Sequence, residues 1–149
     1  MTPVLAGNYN KLRINQTITM TTSLGRVIIL VDDYDNAFSF YQQNFGCEKL
    51  FDATLPDGQR YLHVRFNADD KTGIWFLKAD PGQQTSLVGR QTGGQPTLVV
   101  YTDNCEELYA QLQTNGVTIM EPLVTAVGSR FFHCGDLYGN RITVVEILS

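Results

Sequence analysis

The sequence predicts an α+β fold made of two βαβββ modules, and three observations carry that prediction. A strand-like run, an aspartate, a helical stretch and a glycine occur in that order twice. Asp33 to Gly46 and Asp103 to Gly116 span the same interval, and a fixed internal interval is the mark of a duplicated unit. The chain then closes on a hairpin pattern, with apolar-rich runs at about 130–135 and 141–147 around Asp136-Leu137-Tyr138-Gly139-Asn140. Asp bonds its own backbone two residues on, and Gly and Asn tolerate positive φ, so this pentapeptide reads as a turn.

The elements follow in order. Residues 1–23 are polar and weakly patterned and read as an N-terminal extension, with 24–149 as one domain. Arg26 to Val31 is a β-branched run of strand length. Asp32-Asp33 supplies a helix N-cap, because a carboxylate accepts the orphan amide bonds of a helix start. Ala37, Phe38, Tyr41 and Phe45 recur at helical spacing, and Gly46 closes the helix. Strands are expected at 47–54, 59–66 and 73–78, with Pro56-Asp57-Gly58 as a tight turn, which completes module one at 24–80. Residues 81–94 are rich in Pro, Gly, Gln and Thr and read as a linker. Module two, 95–149, repeats the pattern. Thr97 to Thr102 is a strand, Asp103-x-x-Glu106 a capping box, and Cys105, Leu108, Tyr109 and Leu112 the buried stripe of a helix ended by Asn115-Gly116. A strand at 117–121 precedes the closing hairpin.

Composition narrows the function classes. The chain has 149 residues, 43% hydrophobic and 17% charged, enough to bury a core without metal or disulfide. Its formal charge is −4 with no basic run, which argues against nucleic acid as a partner. Cys47, Cys105 and Cys134 are widely spaced and read as buried thiols in a reducing compartment. No apolar run approaches the ~18 residues of a membrane span, and the expected setting is cytoplasmic, with no membrane partner.

The closing hairpin, Arg130-Phe131 followed by Asp136-x-x-Gly139-Asn140 and a hydrophobic strand, resembles the vicinal-oxygen-chelate superfamily of glyoxalases, bleomycin-resistance proteins and extradiol dioxygenases. The duplicated strand–Asp–helix–Gly unit fits the same family, over about 24–149, although Leu137 stands where the family motif has Pro. The resemblance implies a curved mixed sheet around a cavity, helices on the outer face, and a homodimer. It also implies where metal-dependent members hold their ion. Those positions fall on Arg26, Phe76, Thr97 and Thr143. None of these side chains is a usual ligand, and guanidinium has no lone pair to give. The expectation is a protein with no metal and no cofactor. His63 and His133 show no metal-pair spacing and read as ordinary hydrogen-bonded histidines.

Strand alternation sorts the remaining candidates by face. With helices covering the apolar side, the family geometry turns Arg26, Tyr61, His63, Arg65, Phe76, Lys78, Thr97, Tyr101, Arg141 and Thr143 inward as ligand-binding residues, and Trp75 and Leu77 outward. The faces of 130–134 stay open. His63 is the candidate for proton transfer near neutral pH. The inward set holds four cations and no Asp or Glu, which favours an anionic or carbonyl-containing ligand. The expected function is metal-independent binding of a small molecule. The alternatives are a metal-independent isomerase or lyase using His63 or a tyrosine, and a metal-dependent lyase or dioxygenase whose ligands lie elsewhere.

Overall fold

The structure is a computed structural model that describes residues 20–149, so the expectation for residues 1–19 lies outside it. The described elements are β1 (Arg26–Val31), α1 (Tyr34–Phe45), β2 (Glu48–Thr54), β3 (Arg60–Arg65), β4 (Gly73–Lys78), α2 (Gln83–Leu87), β5 (Pro96–Tyr101), α3 (Cys105–Thr114), β6 (Ile119–Ala126), β7 (Ser129–Gly135) and β8 (Arg141–Ile147). They form two four-stranded sheets rather than one, in the orders β1-β4-β3-β2 and β5-β8-β7-β6. Each sheet is mixed. Its first strand runs parallel to its last, β1 to β4 and β5 to β8, and the other pairs are antiparallel. The fold is α+β, built from two βαβββ units.

Local chemistry sets the helix ends. Asp33 accepts the Asn36 amide at 2.8 Å, and Gly46 at φ 70° closes α1 in a conformation that side chains disfavour. In α3 the cap sits one residue later than the Asp103-x-x-Glu106 pattern suggests. The Asn104 side chain accepts the Glu107 backbone amide at 3.0 Å, and its side-chain amide donates to the Glu107 carboxylate at 3.1 Å. Both pairs satisfy the spacing. Glu146 of β8 accepts the Cys105 amide at 3.1 Å, and this tertiary bond serves the first turn of a helix that starts at Cys105.

The helices cover one face of each sheet. In module one Ile29, Val31, Ala37, Tyr41, Leu62 and Val64 are buried there, and in module two Leu112, Phe132, Ile142 and Val144 are. β4 departs from the expected orientation. Phe76 is fully buried on the helix side, its ring 5.3 Å from that of Tyr41, while Trp75 faces away. The segment expected as a plain linker carries α2 and is fastened at two points. Gly89 has φ 77°, and an added Cβ there would collide with the Tyr138 carbonyl. Gln91 then accepts the Leu30 amide at 2.9 Å and donates to the Ile28 carbonyl at 2.8 Å, so its carboxamide occupies the open edge of β1.

The two modules are joined by a buried carboxylate. Asp136, in the β7–β8 turn, accepts the Tyr138 and Asn140 backbone amides and the Asn140 side-chain amide, each at 2.9 Å. Its fourth bond comes from module one, where Tyr41 of α1 donates its hydroxyl at 2.8 Å. Burial and this neighbouring carboxylate push the Tyr41 hydroxyl well above the usual phenol range, so it stays protonated and remains a donor. Tyr138 adds a second tie, donating to the Asp33 carbonyl at 3.1 Å at the start of α1. Removing only the donor, in Tyr41→Phe, should cost about 1.5–3 kcal/mol, the range for a hydrogen bond to a charged group. Asp136→Ala should cost more, because it leaves four donors without an acceptor. Urea unfolding at pH 7 measures both, and a Tyr41→Phe protein as stable as the parent would show that the bond contributes nothing.

Candidate functional site

The face of each sheet turned away from its helix is where polar and aromatic groups collect. In module one, cross-strand register places Phe51 opposite His63, His63 opposite Trp75 and Trp75 beside Ile28, so all four share that face. Alternation along β3 and β1 adds Tyr61, Arg65, Arg26 and Leu30. The rings form a continuous row across three strands. Phe51 to His63 is 5.8 Å between centroids, His63 to Trp75 is 5.4 Å, and Trp75 to Tyr61 is 5.7 Å with the rings inclined by only 29°.

His63 is held in one state. Arg26 donates from Nε to His63 Nδ1 at 3.1 Å, and its Nη1 donates to the carbonyls of Gly25 and Lys71 at 2.6 and 2.9 Å. Nδ1 is therefore an acceptor, and the proton of the neutral ring sits on Nε2. Partial burial, reinforced by the Arg26 charge, holds the pKa of His63 below the ordinary imidazole range. A neutral ring with Nδ1 already occupied is a hydrogen-bond donor rather than a base. Its Nε2 and the Trp75 Nε1 are both buried, and neither has a protein acceptor among the described residues. Sequence reasoning missed Trp75 by turning β4 the wrong way.

Module two carries a different set. Thr97, Val99 and Tyr101 of β5 lie on the helix-free face, with Val99 57% and Tyr101 71% exposed. Arg141 and Thr143 of β8 share it with Phe131 and His133 of β7, since His133 is paired with Thr143 and Phe131 with Val145. Glu121 of β6 stands opposite His133. Thr143 Oγ1 is 2.9 Å from His133 Nδ1, and Glu121 reaches both His133 Nε2 at 3.4 Å and Arg141 at 3.2 Å. His133 was the residue whose face the sequence left open. Its signal was present: His63 and His133 stand thirty residues after Asp33 and Asp103, the same repeat interval that marks the helices.

The expected excess of cations does not hold. Arg65 is paired with Glu48 of the neighbouring β2 at 2.7 Å, and Arg141 with Glu121 at 3.2 Å, across β7 from β6, on the same faces. Lys78 and Phe76 lie on the helix side, Lys78 exposed at the end of β4 beside a cleft of about 850 Å³ that Tyr34 and Pro81 also line. A second cleft, of about 690 Å³, lies between the end of α1 and the start of α3. Of the inward cations, Arg26 alone has no ion-pair partner among the described residues.

The positions that the family resemblance assigns to a divalent ion carry Arg26, Thr97, Thr143 and Phe76, with Trp75 beside Phe76. A guanidinium, an indole and two neutral hydroxyls do not fit such an ion. Among the described residues, no three His, Cys, Asp or Glu side chains come together as a metal group.

Comparison with known proteins places this geometry. A protein of Shewanella frigidimarina with no assigned function is 25% identical over 129 residues, 86% of this chain and 96% of its own. The crystal structure of UcmS2 superposes with a TM-score of 0.73 at 25% identity, covering 85% of this chain and 98% of the other. TnmS3, an antibiotic-binding protein from Streptomyces sp. CB03234, superposes with a TM-score of 0.72 at 22% identity, covering 88% and 100%. A family model matches residues 23–144. The chain belongs to the Glyoxalase/Bleomycin resistance protein/Dioxygenase superfamily.

Proposed function

We propose that the protein binds a small, flat, carbonyl-containing molecule without a metal or cofactor, seated on the Phe51–His63–Trp75–Tyr61 row. One observation carries the reading. Two buried ring N–H groups, His63 Nε2 and Trp75 Nε1, lack a protein acceptor within a surface of aromatic faces. A buried donor left unpaired costs about 1–3 kcal/mol, and a ligand oxygen removes that cost. The aromatic faces supply stacking area, and Arg26 adds positive charge behind the His63 ring. Carbonyl oxygen fits this arrangement better than a full anion does, because Arg65 and Arg141 already have carboxylate partners. The same fold serves as an antibiotic-binding protein in TnmS3, which agrees with a sequestering role.

The site would be completed by a second copy. Ile28, Phe51, Val99, Tyr101 and Val124 are exposed on the helix-free faces, and exposed large apolar side chains gathered on such faces favour a partner that covers them. A homodimer that lays one copy's face over the other's would do so. Sedimentation equilibrium should give twice the chain mass.

Trp75 is the only tryptophan, so its fluorescence reports this site directly. 9-Fluorenone should quench it saturably and bind about tenfold more tightly than fluorene, which has the same rings and no carbonyl; tenfold is about 1.4 kcal/mol. His63→Leu should erase that difference while fluorene binding stays. Equal affinities in the parent protein would show that the donor pair selects nothing. 1-Naphthoate tests the anionic variant, and should bind no better than fluorenone.

The His63 ring should titrate below the ordinary value near 6.5, and Arg26→Gln should move it upward. NMR of the imidazole protons reads both. The stability consequence has a definite sign. The unfolded chain takes up this proton more readily than the folded one, so the His63 contribution is complete above about pH 6.5 and is lost as pH falls from there through the folded-state pKa. A His63 signal that titrates above 6.5 would contradict the neutral-donor assignment.

A further inference from the structure

Glu121, His133 and Thr143 of module two stand in the order carboxylate, imidazole, hydroxyl. Glu121 Oε2 is 3.4 Å from His133 Nε2, and His133 Nδ1 is 2.9 Å from Thr143 Oγ1. The carboxylate favours a proton on Nε2, which leaves the Nδ1 lone pair to accept from the threonine hydroxyl. The strands hold the three groups side by side. His133 is paired directly with both Glu121 on β6 and Thr143 on β8. The β6–β7 ladder is irregular on each side of Glu121, between Ile119 and Glu121 and again between Glu121 and Val124. Such irregularities re-aim side chains, and Pro122 lies within the second.

The environment separates this histidine from its repeat partner. His63 has a cation on Nδ1 and serves as a donor, whereas His133 has a carboxylate on Nε2 and a hydroxyl on Nδ1. Opposite environments on equivalent groups are the pattern by which proteins assign acid and base roles. The hydroxyl end of the chain is also the reachable end. Thr143 is half-buried beside its register partner Val99, itself exposed, and Arg141 lies two residues before it on the same strand face.

We propose that Glu121–His133–Thr143 is a proton relay that makes Thr143 Oγ1 a nucleophile toward activated acyl esters. Thr143 Oγ1 adds to the ester carbonyl carbon as its proton passes to His133 Nδ1. The adduct collapses, the bond from the carbonyl carbon to the aryloxy oxygen breaks, and the departing oxygen takes the proton from His133. Water then adds to the acyl-threonine, gives a proton to His133, and releases the carboxylic acid as Thr143 recovers that proton. Glu121 fixes the imidazole tautomer and is the positioning residue. The activity needs only module two and stands or falls apart from the binding reading.

4-Nitrophenyl acetate tests it on the full chain at pH 8. The expected result is a burst of nitrophenolate, one acetyl group in the intact mass, and that group mapped by peptide sequencing to Thr143. Thr143→Ser should retain the acetylation and Thr143→Val should remove it. His133→Gln should slow it by about 10² or more, the size of a lost general base. Glu121→Gln should slow it less, as the orienting member of such a set does. Thermal melts establish that each variant is folded. If His133→Gln is not, the Ser and Val variants of Thr143 decide, since they change one methyl or one hydroxyl. Acetyl found only on lysines or the amino terminus, or Thr143 acetylated equally fast without His133, would overturn the proposal.

Discussion

Asp136 is the constraint on which the arrangement of the two modules depends. A carboxylate removed from water is tolerated only when its lone pairs are filled, and here four donors fill them. Three donors come from its own turn and fix the β7–β8 hairpin. The fourth comes from the middle of α1 and ties that hairpin to module one. Tyr41 contributes twice, because its ring packs on Phe76 inside the first core while its hydroxyl reaches the second module. The sheets are not hydrogen-bonded to each other, so this junction, the Tyr138–Asp33 bond and the Gln91 plug on β1 orient the helix-free faces. A polar junction also sets register in a way that apolar packing does not, since a shift of one residue between α1 and the hairpin would cost the carboxylate its Tyr41 bond.

The repeat explains why two sites of opposite character arise from one plan. His63 and His133 occupy matching places on β3 and β7. Their neighbours decide what each can do. Arg26 reaches the first from β1, across β4, and Glu121 and Thr143 flank the second on its two adjoining strands. Duplication keeps the backbone geometry while side chains on adjacent strands diverge. Module one thereby becomes an aromatic surface with ring N–H donors, and module two a surface on which a carboxylate, an imidazole and a hydroxyl stand together.

Electrostatics on these faces is local rather than global. The chain carries more acid than base, and a tally of the strands first read as inward finds only cations. The missing carboxylates, Glu48 and Glu121, sit on β2 and β6, the strands least patterned in the sequence. Paired in this way, Arg65 and Arg141 give little net field. Arg26 acts instead through a directional bond that sets the state of one imidazole.

Apart from α2, which lies in the segment read as a linker, strand and helix identities, the duplicated plan and the Asp136 turn were legible in the sequence, because turn chemistry, capping and a seventy-residue repeat are properties of short segments read in order. The face of β3 was legible too, since polar and apolar residues alternate there. The face of β4 was not. Ile74-Trp75-Phe76-Leu77 is apolar at four successive positions, so a period of two has no sign, and only packing against Tyr41 chose Phe76 for the core and left Trp75 beside His63. The α3 cap was equally undecided between two pairs of identical spacing until Glu146 of a distant strand took the Cys105 amide. The ion pairs and the Glu121–His133–Thr143 set depend on which residue lies opposite which across irregular ladders. That register is a property of the assembled sheet, and no single segment of the chain contains it.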